Sequence, residues 1–140
     1  MIDRTVTVRM AKNDDGPDVE ALIEKLGWFE WSNWKIDWND LEPNWLVAEH
    51  AGRFVGCIQV CPARPIGRIE ILCVDPELRL IMRYLVTREL TNHAVGVVKM
   101  YGAQAVCSTI PWRYGDYLHG AQNRGWEAID NGSMIMKRLS

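Results

Sequence analysis

The sequence predicts an α/β fold, in which a mixed β-sheet of about six or seven strands is flanked by helices. Short alternating or apolar runs recur along the 140 residues, separated by segments with helical periodicity. One apolar run, residues 68–74, leads through an Asp-Pro pair into a long amphipathic segment, as a strand leads into a helix. Turn signals at residues 51–52 and 131–132 indicate hairpins between neighbouring strands.

The first half of the chain is predicted to contain a strand, two helices and a hairpin. Residues 5–10 alternate in polarity, which predicts a half-buried strand. Capping residues and Pro17 open a helix that Gly27 ends. Residues 45–49 and 54–60 form the hairpin. Between the first helix and this hairpin, tryptophans recur at the spacing of one helical face: Trp28, Trp31, Trp34 and Trp38.

The second half is predicted to contain a strand, a long helix, a strand, a short helix and a closing hairpin. The strand over 68–74 precedes the long helix, which Gly102 ends. The short helix opens at Pro111. The apolar stripe of the long helix is predicted to comprise Leu78, Ile81, Met82, Leu85, Leu90, Ala94, Val97 and Tyr101. The later strands are predicted at residues 104–110, 126–129 and 134–137.

Length and composition limit the classes of protein to which the chain can belong. A chain of 140 residues fits one domain, 1–140, with a substantial core. The net charge of −2, without a basic cluster, argues against nucleic-acid binding. No apolar run is long enough to span a membrane and the N-terminus has no apolar signal core, so we expect a cytoplasmic protein. The four cysteines are read as reduced, mostly buried thiols, and no residues show metal-ligand spacing.

Residues 69–84 resemble the acetyl-CoA-binding motif of the GNAT family of N-acetyltransferases. In that motif a valine closes the fourth strand, a proline follows, and an Arg-x-x-Gly-x-Gly/Ala loop opens a helix. Val74, Pro76 and Arg79 match the pattern, whereas Met82 and Tyr84 stand at the two small positions. The element order, the hairpin at 51–52 and a Gly-Trp pair at 125–126 extend the resemblance over residues 4–139.

The resemblance implies a GNAT-like acyl-CoA N-acyltransferase fold with acetyl-CoA as co-substrate. The open N-terminus of a helix that carries cationic side chains suits a phosphate-bearing ligand. By resemblance, the backbone of Leu72, Cys73 and Val74 would bind the pantetheine arm. The pyrophosphate would be bound by the segment Arg79, Leu80, Ile81, Met82, Arg83 and Tyr84. The alternative for this segment is an ordinary helix start with two solvated arginines.

Two residues are candidates for proton transfer. Glu70 lies four residues before Val74, where many family members place a carboxylate that takes the amine proton through water; its alternative role is a surface ion pair with Arg68. Tyr117 is the candidate that would protonate the leaving thiolate. The family's tyrosine precedes the Gly-Phe pair by four residues, a position occupied here by Ala121, so Tyr117 requires a shifted or broken helix near Gly120.

The tryptophan-rich segment would lie over the acceptor site in the family, which makes Trp31 and Trp34 candidate substrate-binding residues. The same tryptophans could instead belong to the core or seat a protein partner. The leading hypothesis is transfer of an acetyl group to a primary amine of a small molecule or protein. The alternative is a catalytically inactive interaction or assembly protein, such as a bacteriophage virion component. The expected protein partner is a second copy of the chain or another member of an assembly.

Overall fold

The fold is built on one mixed β-sheet, seen in a computed structural model that describes residues 3–27, 44–109, 115–129 and 134–139. Of residues 115–118 it describes the backbone alone. The strands in these ranges are β1 Thr7–Met10, β2 Trp45–His50, β3 Arg53–Cys61, β4 Ile66–Val74, β5 Ala105–Thr109, β6 Glu127–Ile129 and β7 Met134–Arg138. The helices are α1 Gly16–Lys25, α2 Leu80–Met100 and α3 Gly115–Asn123, with a 3₁₀ turn over Asn13–Asp15.

The described strands form a seven-stranded sheet in the order β1-β2-β3-β4-β5-β7-β6. Every neighbouring pair is antiparallel except β4 and β5, which run parallel. The parallel pair is joined by the crossover helix α2, as a parallel connection requires. The predicted α/β class with a mixed sheet is therefore confirmed.

Glycines form the predicted turns and helix ends. The β2–β3 hairpin turns through Ala51 at φ 51° and Gly52 at φ 76°, the pair of positive angles typical of a type I′ turn. At the end of α2, Gly102 has φ 91° and its N–H donates to Lys99 C=O at 3.0 Å. The next N–H, of Ala103, reaches back to Val98 C=O at 3.2 Å, which completes a Schellman-type helix end.

The two faces of the sheet carry two hydrophobic clusters. Successive residues of β2 alternate between them, because side chains of a strand point to opposite faces. The first cluster packs α2 against the sheet through Val86, Leu90, Ala94 and Val98, and it includes Ala121 of α3 and Trp126. The second packs α1 through Val19, Leu22 and Ile23 onto Trp45, Val47, Cys57, Ile71 and Cys73.

The predicted stripe of the long helix needs correction. Ile81 and Tyr101 are 43% and 51% exposed, and α2 begins at Leu80 rather than directly after Pro76. The buried residues of α2 are Met82, Val86, Leu90, Thr91, Ala94 and Val98, mostly at a strict spacing of four. Apolar residues occur on both flanks of this ridge, so periodicity alone could not select the face that meets the sheet. Within the described residues, no helix is long and apolar enough to span a membrane.

Candidate functional site

A gap opens between the two parallel strands at the centre of the sheet. β4 and β5 pair only over Ile66–Arg68 and Ala105–Cys107. Beyond Arg68, β4 stays paired with β3, and beyond Cys107, β5 stays paired with β7. One edge of each strand is therefore left without a strand partner, so backbone groups of both strands face the space between them.

A β-bulge interrupts β4 beside this gap. Cys57 pairs with Cys73 and Gln59 with Glu70, so β4 has one residue more than β3 over this interval. Ile71 has φ 53°, an outlier for a β-branched residue that costs about 1–3 kcal/mol. The extra residue reverses the alternation of β4, because Ile69 packs in the α2 cluster whereas Ile71 packs in the α1 cluster.

The pairing of β3 with β4 shows which backbone groups face the gap. Asp75 N–H donates to Val55 C=O at 2.9 Å, and antiparallel pairs alternate between bonded and non-bonded. Cys73 therefore faces β3, and a Cβ added at Gly56 would lie 2.8 Å from the Cys73 carbonyl oxygen. The backbone groups of Leu72 and Val74 point the other way, into the gap. Two of the three positions predicted to contact a pantetheine arm therefore face the gap.

The N-terminus of α2 follows β4 after a short turn. Asp75 Oδ1 accepts the Glu77 N–H at 2.9 Å, so its carboxylate closes the turn and leaves the helix uncapped. Arg79 is the N-cap residue and makes no side-chain capping bond. The first-turn N–H groups, those of Leu80, Ile81 and Met82, have no acceptor inside the helix. This end of α2 therefore carries the partial positive charge that favours an anion.

The side chains around this helix end do not bury it. Arg79 and Arg83 are exposed, and neither has an ion-pair partner among the residues that the structure describes. Leu80 is 75% exposed and Tyr84 is 50% exposed, whereas Met82 is 4% exposed. The large residues at the two small positions of the motif thus diverge, with Met82 directed into the protein and Tyr84 toward solvent.

Glu70 lies at the narrow end of the gap and connects its two sides. Its Oε1 accepts hydrogen bonds from Arg68 Nη2 at 2.8 Å and Nε at 3.2 Å. Across the gap, Thr109 donates its N–H to Oε2 at 3.1 Å and its hydroxyl to Oε1 at 3.2 Å. The ion pair with Arg68 predicted as an alternative role is present, while the contact with Thr109 was missed. The parallel register that brings Thr109 there has no signal in the sequence.

Two thiols lie beside this ion pair. Cys61 is the cross-strand partner of Arg68 on β3, and Cys107 is its partner on β5. Burial, followed by the negative charge of Glu70, raises the pKa of Cys61. Burial also raises the pKa of Cys107, while the charge of Arg68 partly opposes that shift. Both side chains therefore stay protonated thiols at neutral pH, which does not suit a nucleophile.

The structure describes only some of the other predicted site residues. Ala121 is buried in the α2 cluster. The helix α3 continues unbroken through Gly120, so the shift that would bring Tyr117 to the Ala121 position does not occur within it. The side chain of Tyr117 lies outside the described residues, as do Trp31 and Trp34. No group of three or more potential metal ligands occurs among the residues that are described.

Solved structures of GNAT acetyltransferases superpose on nearly the whole chain, which therefore has the GNAT acyl-CoA N-acyltransferase fold. An N-acetylglutamate synthase from Neisseria gonorrhoeae, complexed with coenzyme A and N-acetyl-glutamate, has a TM-score of 0.74 at 20% identity over 97% of this chain and 35% of its own. The PaiA N-acetyltransferase from Thermoplasma acidophilum, in complex with coenzyme A, has a TM-score of 0.73 at 14% identity over 96% of this chain and 99% of its own.

A GNAT-family acetyltransferase from Staphylococcus aureus has a TM-score of 0.75 at 14% identity, over 97% of this chain and 100% of its own. The chain spans about a third of the length of the N-acetylglutamate synthases it matches. No family sequence profile and no curated protein sequence matches it. At these identities the likeness shows the fold.

Proposed function

We propose that the protein transfers the acetyl group of acetyl-CoA to a primary amine of a small molecule or protein. The observation that carries this proposal is the gap between β4 and β5, which leads directly to the uncapped N-terminus of α2. Neighbours of the same fold, among them the synthase from Neisseria gonorrhoeae, are complexed with coenzyme A. Acetyl-CoA supplies the activated acetyl thioester.

The described residues fit the two ends of such a co-substrate. The free backbone edges of Leu72 and Val74 can bond an amide-containing arm as a further strand would. The first-turn N–H groups of α2, with the cations of Arg79 and Arg83, can bind a diphosphate. The exposed Leu80 and Tyr84 side chains add apolar surface beside this charge, which suits the adenosine part of a nucleotide.

The acceptor must lose a proton before it can attack. A primary amine has an unperturbed pKa of about 10.4, so at neutral pH it needs a base. Glu70 is the described carboxylate at the gap and would take this proton, through water. Because α3 is unbroken at Gly120, Tyr117 could return a proton to the thiolate only from its own position one turn before Ala121. Trp31 and Trp34 remain the candidates on the acceptor side.

Co-substrate binding tests the proposal most directly. The melting temperature is measured with acetyl-CoA, and a hundredfold excess over Kd should stabilise the fold by about 2.7 kcal/mol, or about 9 °C at this size. The double variant Arg79→Ala/Arg83→Ala should lose most of the shift. Arg88→Ala is the matched control, because Arg88 is an exposed arginine of the same helix that pairs with Glu89. Turnover is then followed by mass spectrometry with a panel of amines.

A second candidate is a GNAT-fold protein without catalysis, acting in interaction or assembly. It is favoured by the buried alanine at position 121, which cannot donate a proton, and by the hydrogen bonds that already engage Glu70. Absence of any melting shift at millimolar acetyl-CoA would exclude the transferase and leave this candidate.

A further inference from the structure

The hydrogen bonds of Glu70 divide unequally between its two carboxylate oxygens. Oε1 accepts three of them: Arg68 Nη2 at 2.8 Å, Arg68 Nε at 3.2 Å and the Thr109 hydroxyl at 3.2 Å. Among the described residues, Oε2 accepts one, from the Thr109 N–H at 3.1 Å. Oε1 is thus fixed by surrounding donors, while Oε2 retains a lone pair beside the gap.

Arg68, Glu70 and Thr109 are joined in a ring of hydrogen bonds. Arg68 Nη2 also lies 3.5 Å from the Thr109 hydroxyl oxygen, so that hydroxyl accepts from Arg68 and donates to Glu70. The Glu70 side chain is 14% exposed and that of Arg68 is 49% exposed. A side chain held by partners on its own strand and on the opposite strand has little rotamer freedom left.

The bond to the Thr109 N–H replaces a missing sheet bond. Leu139 N–H donates to Gln104 C=O at 2.8 Å, and alternation along the β5–β7 pair then turns the Thr109 N–H toward β4. At that level β4 has left β5, so no backbone carbonyl of β4 is paired with it. The carboxylate of Glu70 spans the gap instead and ties the two strands at the point where they part.

We propose that Arg68 and Thr109 are positioning residues, which hold Oε1 of Glu70 and direct Oε2 into the gap as the atom that receives the acceptor amine's proton. The proton passes from the amine nitrogen through water to Oε2, and the nitrogen keeps the electron pair with which it attacks. The proton-transfer part rests on the proposed acetyl transfer. The bridge, meaning the hydrogen bonds of Glu70 to Thr109 across the gap, does not depend on acetyl transfer. The bridge and the proton transfer can therefore be tested separately.

Amide hydrogen exchange tests the bridge without any ligand. Thr109 N–H should be protected in the wild type and should exchange at least tenfold faster in Glu70→Ala. Glu70→Gln keeps a carbonyl oxygen as acceptor and should retain most of the protection. Glu127→Ala, which removes an exposed carboxylate from β6, is the control. Equal exchange in wild type and Glu70→Ala would overturn the proposal.

Turnover kinetics with the best amine of the panel test the positioning role. Thr109→Val and Arg68→Met should lower kcat about tenfold with Kd and KM for acetyl-CoA unchanged. Thr109→Ser keeps the hydroxyl and Arg68→Lys keeps a donor, so both should recover most of the loss. Unchanged kcat in Thr109→Val and Arg68→Met refutes the positioning role, as does a loss that the conservative variants share. If the wild type binds no acetyl-CoA, the proposed function and the proton-acceptor role of Glu70 are both refuted. The exchange rate of the Thr109 N–H then still shows whether Glu70 bridges the two strands.

Discussion

Replacement of Gly67 by alanine should destabilise the protein through a collision between β4 and α2. An ideal Cβ at Gly67 would lie 2.8 Å from Val98 Cβ and 2.9 Å from Val98 Cγ1. Carbon atoms in contact prefer about 3.5–4.0 Å, so the strand and the helix must separate by several tenths of an ångström. Overpacking of this kind costs about 1–3 kcal/mol, and on the α2 ridge we expect the upper half of that range.

Gly96 provides a control with the identical change of one methyl group. It lies within α2, and a Cβ there would meet nothing within 4 Å. Gly96→Ala should therefore stabilise the protein by about 0.5–1 kcal/mol, through the higher helix propensity of alanine. The change in the free energy of unfolding should therefore have opposite signs in the two variants. The loss in Gly67→Ala reports the packing collision, and the gain in Gly96→Ala reports the backbone entropy.

Equilibrium urea unfolding measures both variants, and Val98→Ala completes a double-mutant cycle with Gly67→Ala. Removal of the two Val98 methyl groups leaves the Cβ contact but lets the helix adjust, so the double variant should be more stable than the sum of its parts by about 1 kcal/mol. A Gly67→Ala variant within 0.5 kcal/mol of wild type, or strictly additive costs, would refute the close approach.

Three further predictions concern charges, thiols and a helix end. A hydrogen bond from Arg9 lowers the pKa of Asp15. This pair therefore stabilises the folded protein at pH values above 3.8, the ordinary pKa of Asp15, and its contribution is lost as the pH falls through the lowered pKa. Arg9→Met should cost about 1 kcal/mol at pH 7, after allowance for solvent screening, and less in urea unfolding at pH 2.5. With a thiol reagent followed by mass spectrometry, half-buried Cys61 should label before Cys57, because a hydrogen bond with the thiol of Cys73, followed by burial, raises the pKa of Cys57; equal rates would contradict this order. Gly102→Ala should cost about 1 kcal/mol in thermal unfolding because φ is 91° there, and an unchanged melting temperature would refute it.

The parts of the fold that depend on local chemistry were predictable from the sequence. Gly27 and Gly102 end helices at positive φ, and the Ala51-Gly52 turn joins two antiparallel strands, because these residues suit such conformations. The carboxylate of Glu70 beside Arg68 was equally accessible, since residues two apart on a strand share a face.

The parts that depend on long-range register were not predictable. Isoleucine is among the residues least suited to a positive φ, so nothing marked Ile71 as the bulge. Thr109 meets Glu70 only because β4 and β5 run parallel and separate after three residue pairs. The inward face of α2 is likewise decided by its packing on β3 and β4, where glycines admit a close approach.

The extra residue in β4 also shifts the alternation of side chains along that strand by one position. Ile69 packs in the α2 cluster, whereas Ile71 and Cys73, at the same spacing of two residues, pack in the α1 cluster. Loss of Ile71 alone would place Leu72 opposite Ile58 and restore uninterrupted alternation, with Cys73 kept in the layer that it occupies now. A variant without Ile71 should therefore keep the two layers of its core, while the kink that the bulge puts into β4 beside the gap is lost.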